Sequence, residues 1–325
     1  VRDLQERLGA LGFKPSGDEM GEFGPGTVQA VHAFQLERGL RCDGVCGRQT
    51  WSALVEAGRS LGDRLLYHKR PMQRGDDVAA LQRQLGALGF DAGRVDGIFG
   101  PHTEMAVRDF QRNVGLTVED GMFGLETLKA LKRVSTKSNG RDLVSEIRER
   151  QRLRELPPTL RGRRVVVGET GGLAPLAESV RRVLARLGSA VITVHDPDES
   201  VHASQANRMA ADVYVGVRLE PDCAGCTTAY FLGYNGVSSE GGRRLAETVQ
   251  TIVPAALGIP DLGARGMRLT VLRETRMPAI LVELGPPQVV VEHGVDVAGA
   301  LGRALGRWVS SPYEPDPPPS SLSLQ

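Results

Sequence analysis

Residues 1–134 carry an internal repeat, and it limits what this chain can fold into more than any other feature. Leu4-Gln5-x-x-Leu8-Gly-x-Leu11-Gly12-Phe13 returns 77 positions later as Leu81-Gln82-x-x-Leu85-Gly-x-Leu88-Gly89-Phe90. Phe23-Gly24-Pro25 returns as Phe99-Gly100-Pro101, and Phe34-Gln35 with Gly39-Leu40 returns as Phe110-Gln111 with Gly115-Leu116. Asp43-Gly44-Val45-Cys46-Gly47 returns as Asp120-Gly121-Met122-Phe123-Gly124, and Thr50 as Thr127. A unit of this length, met twice, is one supersecondary module used twice. Leu4, Leu8 and Leu11 share one helical face, while Val31 and Phe34 continue a second. Gly12 and Gly89 stop helices, and the Asp-Gly pairs mark turns before a third helix. The pattern predicts two small three-helix units, at 1–56 and 74–134, joined by a connector at 57–73. Val1 aligns with Val78, so the first unit opens without the lead-in Arg74–Asp77 of the second. Either the natural start lies upstream or Val1 is an unusual start.

Beyond the repeats the period changes. Arg141–Glu155 reads as a charge-rich helix stopped by Leu156-Pro157-Pro158, within a linker at 135–160. Its sparse apolar positions predict a solvated helix leaning on one domain. From 161 to 310, β-branched runs alternate with helical stretches. Arg164–Val167, Ala190–Val194, Asp212–Arg218, Thr228–Leu232 and Ala279–Leu284 read as strands. Leu176–Leu187, Ala203–Ala210 and Gly242–Leu257 read as helices. Such alternation predicts an α/β layered domain with a largely parallel sheet, so the whole chain is a multidomain α+β protein. The tail at 311–325, rich in Pro and Ser, is expected to be disordered.

Composition narrows the function. A net charge of +1 with 24% charged residues gives no general attraction to nucleic acid or to anionic membrane. No apolar run approaches the roughly 20 residues a membrane span needs. At 5% aromatic content, an aromatic-lined carbohydrate platform is disfavoured. The first residues are already amphipathic helix rather than a secretory signal, which favours a cytoplasmic location over a cell-wall or secreted one. Cys42/Cys46 and Cys223/Cys226 form two close pairs. They read as reduced thiols or a local disulfide rather than as a four-thiolate zinc site.

Both repeats resemble the type-1 peptidoglycan-binding domain through their D-G-x-x-G and F-Q-x-x-x-G-L elements. That resemblance implies peptidoglycan, or its lipid-linked precursor, as a partner. The alternative is a packing module without a ligand, and no groove residue is singled out. The α/β body resembles the zinc N-acetylmuramoyl-L-alanine amidases. Three stretches carry this resemblance: Val165–Val167 ending in Thr170-Gly171-Gly172, Ala206–Val217, and Met277–Gly285. It implies that Glu283 stands at the position of the catalytic acid. It also implies that Thr170 and Arg218 stand where the family has zinc-binding histidines. The family's remaining ligand is a Glu near the first helix. Here that segment is short, 16 residues from Leu173 to Gly188, and Glu178 is the nearest acid.

Zinc hydrolysis needs three protein ligands and an open position for water. Thr170 is a poor ligand, and the Arg218 guanidinium is permanently cationic. With a unit pair worth about 4 kcal/mol at the usual effective dielectric, repelling a dication costs about twice that before screening. His195, His202 and His293 occupy no matching position, and His195 and His202 are expected to face solvent beside a loop. No cofactor is therefore expected unless the chain is an active amidase, in which case zinc is. Arg218 either replaces the metal's charge by pairing with Glu283, or both side chains face water at the sheet rim.

Within the family, the His-to-Arg change together with two binding repeats is similar to the CwlM-type branch of actinobacteria. That resemblance implies a non-cleaving regulator of peptidoglycan precursor synthesis, acting through MurA and membrane-associated partners of the wall machinery. The alternatives are a working amidase that cuts the muramoyl–L-alanine bond, and a plain wall-binding protein. The tail has Ser320, Ser321 and Ser323 but no Thr, which puts a phospho-threonine switch there in doubt.

Overall fold

The computed structural model describes residues 1–135, 144–221 and 223–312. Helices α1 (Arg2–Ala10), α2 (Pro25–Glu37) and α3 (Arg48–Glu56) make the first repeat, and α4 (Asp76–Ala87), α5 (Pro101–Asn113) and α6 (Leu125–Ser135) the second. Both second helices begin with Pro in the first turn, where its missing N–H costs nothing. Each repeat has its own small core. Leu8, Val31, Phe34 and Leu54 are buried in the first, and Leu85, Val107, Phe110 and Leu131 in the second.

A buried glutamine in each repeat explains why the F-Q and D-G elements travel together. Gln35 Nε2 donates to Asp43 Oδ1 (2.7 Å), Val45 O (3.0 Å) and Thr50 Oγ1 (3.0 Å), while its Oε1 accepts from Gly44 N (2.9 Å). Gln111 does the same with Asp120, Met122, Thr127 and Gly121. One amide thus fastens the turn and the start of the third helix to the second. Gly44 and Gly121 hold positive φ in these turns, at 69° and 75°, where a side chain would be strained.

Helix α7 (Val144–Glu155) follows. Residues 141–143 of the expected linker helix and 313–325 of the expected disordered tail lie outside the described residues. The expectation that this helix leans on one domain needs correction, because it contacts two. Arg148 pairs with Asp91 of the second repeat, while Arg150 pairs with Glu240 (2.9 Å) and Glu149 accepts from the Ser239 hydroxyl (2.5 Å) on the body. Its charges are spent on both neighbours, which a one-dimensional reading of polarity could not show.

The body runs β1 (Arg164–Glu169), α8 (Ala174–Arg186), β2 (Ala190–His195), α9 (Glu199–Arg208), β3 (Val213–Leu219), β4 (Cys226–Phe231), α10 (Glu240–Leu257), β5 (Asp261–Met267), α11 (Thr270–Glu274), β6 (Ala279–Leu284), α12 (Pro287–Glu292) and α13 (Gly294–Ser310). The strands form one sheet in the order β2-β1-β3-β6-β4-β5, parallel except for the β4–β6 pair. Alternate residues feed opposite faces. Val165, Val167, Val215, Ile280 and Val282 pack with α8, α10 and α13, while Val166, Tyr214, Ala279 and Leu281 pack with the α9 and α11 side. Covering both faces is what makes these strands read as unbroken apolar runs.

Replacing Gln111 with Ala would leave the Gly121 N–H and Asp120 without their buried partner. At about 1–3 kcal/mol per stranded buried group, Gln111→Ala is expected to lower the urea midpoint of the full chain. It should also speed amide exchange at Gly121 and Met122, with the first repeat unaffected.

Candidate functional site

The carboxyl-terminal ends of parallel strands are where α/β sheets bind ligands. Here β1, β3 and β6 end side by side. Strand pairing sets Arg218 opposite Glu283, and the β1–β3 register ends at Glu169–Val217, one residue short of Thr170 and of Arg218. Arg218 and Glu283 have the parity of Tyr214 and Leu281, which points both toward the α9 and α11 side. The three positions read from sequence thus meet at one sheet edge. Glu178 does not join them: on α8 it is bound by Arg181, Nε to Oε2 at 2.8 Å, and that guanidinium holds its carboxyl below the usual range.

Arg218 and Glu283 form an ion pair, with side chains 18% and 11% exposed. Of the two readings open from sequence, pairing is the one the geometry carries. Glu199 at the start of α9 adds a second acid, 3.3 Å from Arg218 Nη1, and its other oxygen accepts from Val271 N (3.2 Å). The first repeat adds something the sequence did not announce. Arg41, in the loop after α2, reaches Glu283 Oε1 at 3.2 Å and pairs with Glu220 just beyond β3. Glu220 is held there by its N–H, which donates to Leu284 O (2.9 Å), and the Gly285 Cα faces the Glu220 and Cys223 carbonyls with no room for a Cβ. The edge therefore holds three carboxylates and two guanidiniums.

Two histidines complete the rim, and one corrects an expectation. His202 does not face solvent. It is fully buried, bonded through Nδ1 to the Tyr214 hydroxyl (2.9 Å) and through Nε2 to Asp196 O (2.7 Å). The reason is that α9 starts at Glu199, capped by Asp198 accepting from Ser200 N, so its first turn faces inward at His202. Burial pushes the Tyr214 hydroxyl well above its ordinary pKa, so it stays protonated. The Tyr214–His202 pair lies over Gly168 of β1, where a Cβ would overlap both polar atoms. His195 is partly exposed, as expected, but it is also bonded, with Nδ1 2.9 Å from Glu169 Oε1. Burial works to raise the Glu169 pKa. The His195 bond and the Leu173 and Gly171 N–H groups (3.0 and 2.8 Å) outweigh it, and the net shift is downward.

This donor set does not fit zinc. Thr170 offers a neutral hydroxyl, Arg218 a fixed cation, and Glu283 is already engaged by two guanidiniums. Among the described residues, no group of three or more His, Cys, Asp or Glu side chains is placed to hold a metal ion. The four cysteines are free thiols, and burial pushes Cys226 up to about 12, so its thiol is protonated and inert. His293 lies between α12 and α13, with Nδ1 3.3 Å from Asp296 Oδ2.

Comparison with known proteins follows the same division. Residues 1–54 and 74–131 each match a family described as a putative peptidoglycan-binding domain, and residues 165–286 match the N-acetylmuramoyl-L-alanine amidase family. The amidase CwlM of Mycobacterium tuberculosis is 36% identical over 79% of this chain and 70% of its own length. The amidase CwlL of Bacillus licheniformis is 37% identical, over 41% of this chain and 42% of its own. Among solved structures, the amidase AmiC2 of Nostoc punctiforme covers 46% of this chain and 98% of its own, at 22% identity and a TM-score of 0.39.

Two outcomes follow from the charges at this edge. Removing one partner of a buried pair costs about 3–5 kcal/mol. Arg218→Met should cost less, on the order of 2 kcal/mol, because Arg41 still faces Glu283; chemical denaturation of the full chain measures it. Glu169, whose carboxyl pKa is depressed by folding, contributes stability present above the unfolded value of about 4.3 and lost as pH falls through its lower folded value. Glu169→Gln should therefore flatten the acid limb of the stability–pH curve below about pH 4.3 and lower the plateau above it.

Proposed function

Because the chain belongs to the N-acetylmuramoyl-L-alanine amidase family, with two peptidoglycan-binding domains ahead of its amidase domain, we propose that it binds peptidoglycan or its lipid-linked precursor without cleaving it. In this reading Glu283 is a vestigial catalytic acid, and Thr170 and Arg218 occupy former zinc-ligand positions. The observation that carries it is the ion pair between Arg218 and Glu283. A general base acts on a nucleophile delivered to it, and here the carboxylate is engaged by a guanidinium instead.

The retained scaffold then serves regulation of peptidoglycan synthesis, through a cytoplasmic interaction with MurA and with membrane-associated wall-synthesis proteins. Similarity to CwlM over most of the chain supports placing it in that branch. A second reading, active hydrolysis of the muramoyl–L-alanine bond, is favoured by one observation: an acid, Glu283, is retained near the end of β6.

One set of measurements separates these readings. The purified chain, supplied with zinc and then dialysed, should retain less than one equivalent of metal. It should release no stem peptide from purified cell wall, yet sediment with insoluble peptidoglycan. Stoichiometric zinc together with peptide release would establish the amidase instead. Sedimentation with wall but no effect on MurA turnover would leave a plain binder.

A further inference from the structure

The first repeat is seated on the mouth of the sheet, and the contacts run across its width. On the side of β5, Arg268 N donates to Gly39 O (2.7 Å), and Arg273 pairs with Glu56 (2.7 Å) with both side chains nearly buried. Toward β2, Arg48 comes within 3.7 Å of Asp198. In the middle, where a substrate would enter an α/β crevice, stands Arg41. Its guanidinium meets Glu283 and Glu220 together, two carboxylates that come from different strand ends. A planar cation with several donors in a fixed fork suits two separately placed acids better than an ammonium does.

The second repeat supplies an internal control. It shares the core leucines, the glutamine clamp and the Asp-Gly turn, but Thr117 and Val118 occupy the loop where the first repeat has Arg41 and Cys42. Leu125 and Glu126 stand where it has Arg48 and Gln49, whose amide reaches Arg268 O at 3.4 Å. The arginine is therefore not part of the common three-helix scaffold. It belongs to the contact.

We propose that Glu220 and Glu283 form a guanidinium-binding site and that Arg41 is its resident ligand, capping the sheet edge with the first repeat. This goes beyond the non-cleaving reading and does not depend on it, since the cap would close a metal-bearing edge in the same way. Arg41 is 42% exposed, Glu220 26% and Glu283 11%. The ligand is thus partly open to solvent where it sits, while the two acids it covers are shielded. When the repeat lifts away, the vacated acids are ready for another guanidinium, such as an arginine side chain presented by a protein partner.

Amide exchange and small-angle scattering on the full chain test this. Arg41→Ala should speed exchange at 39–44 and at 283–285 by about three- to tenfold, as expected for a partly exposed charge-assisted contact. Arg41→Lys should fall between it and the native chain. Low-millimolar methylguanidinium added to Arg41→Ala should restore slow exchange at 283–285 but not at 39–44, because the free cation fills the site without tethering the repeat. Unchanged exchange in Arg41→Ala, or no protection by methylguanidinium, would overturn the proposal. Protection at 39–44 that rises with protein concentration in the native chain would also overturn it, by assigning the cap to a second copy. Zinc content and wall hydrolysis are read separately, so this result and the test of cleavage can fail independently.

Discussion

A carboxylate on the end of a buried β-strand must be given a counter-charge, and the choice of that counter-charge governs this protein. Glu283 sits on a strand whose every residue is buried. In a metal enzyme a dication would answer for such an acid. Here two guanidiniums do so, one from the neighbouring strand and one from a different domain, and together they carry the same formal charge. They answer the charge of the acid but offer no Lewis acid. An arginine stays protonated and so is no metal ligand. Side chains of the chain itself, Arg218 and Arg41, stand against the acid at this edge.

Much of this was legible in the sequence where it depends on local period. The repeats and the strand-helix alternation follow from spacing and from where apolar runs end, while Thr170 and Arg218 were picked out beside Glu283 by the family resemblance. What was not legible depended on which surfaces meet. His202 looks like a loop histidine until α9 is seen to start at Glu199, three residues earlier, which turns it toward Tyr214. Helix α7 looks solvated because it is charged, yet its charges face two partners. Arg41 lies 242 positions from Glu283, and nothing local in its loop distinguishes it from a surface arginine. One signal was available: the second repeat, otherwise so similar, has no arginine there. The strand Asp261–Met267 was missed for a simpler reason, since four of its seven residues are Asp261, Gly263, Arg265 and Gly266, where a buried strand would be apolar.

The two repeats show how a duplicated module divides its labour. Residues that build the module are held in common, down to the glutamine that clamps each Asp-Gly turn. Residues that attach it are not shared. The second repeat reaches the body through Arg74, which pairs with Glu274 (2.6 Å), and through Arg94, which donates to Thr275 O (2.7 Å) and stacks 4.2 Å over Phe231. Each copy is thus fastened by its own set of contacts and at its own place on the body.

One small void in the sheet has a reach out of proportion to its size. Gly168 and Gly216 are paired across β1 and β3, and the absence of side chains there opens a slot that the Tyr214 ring and His202 fill. The slot works as a keyway. Because His202 is seated in it, helix α9 has one permitted height above the sheet, and Glu199 at the head of that helix inherits its distance from Arg218. The charge arrangement at the rim is therefore gauged by two missing methyl groups in the floor.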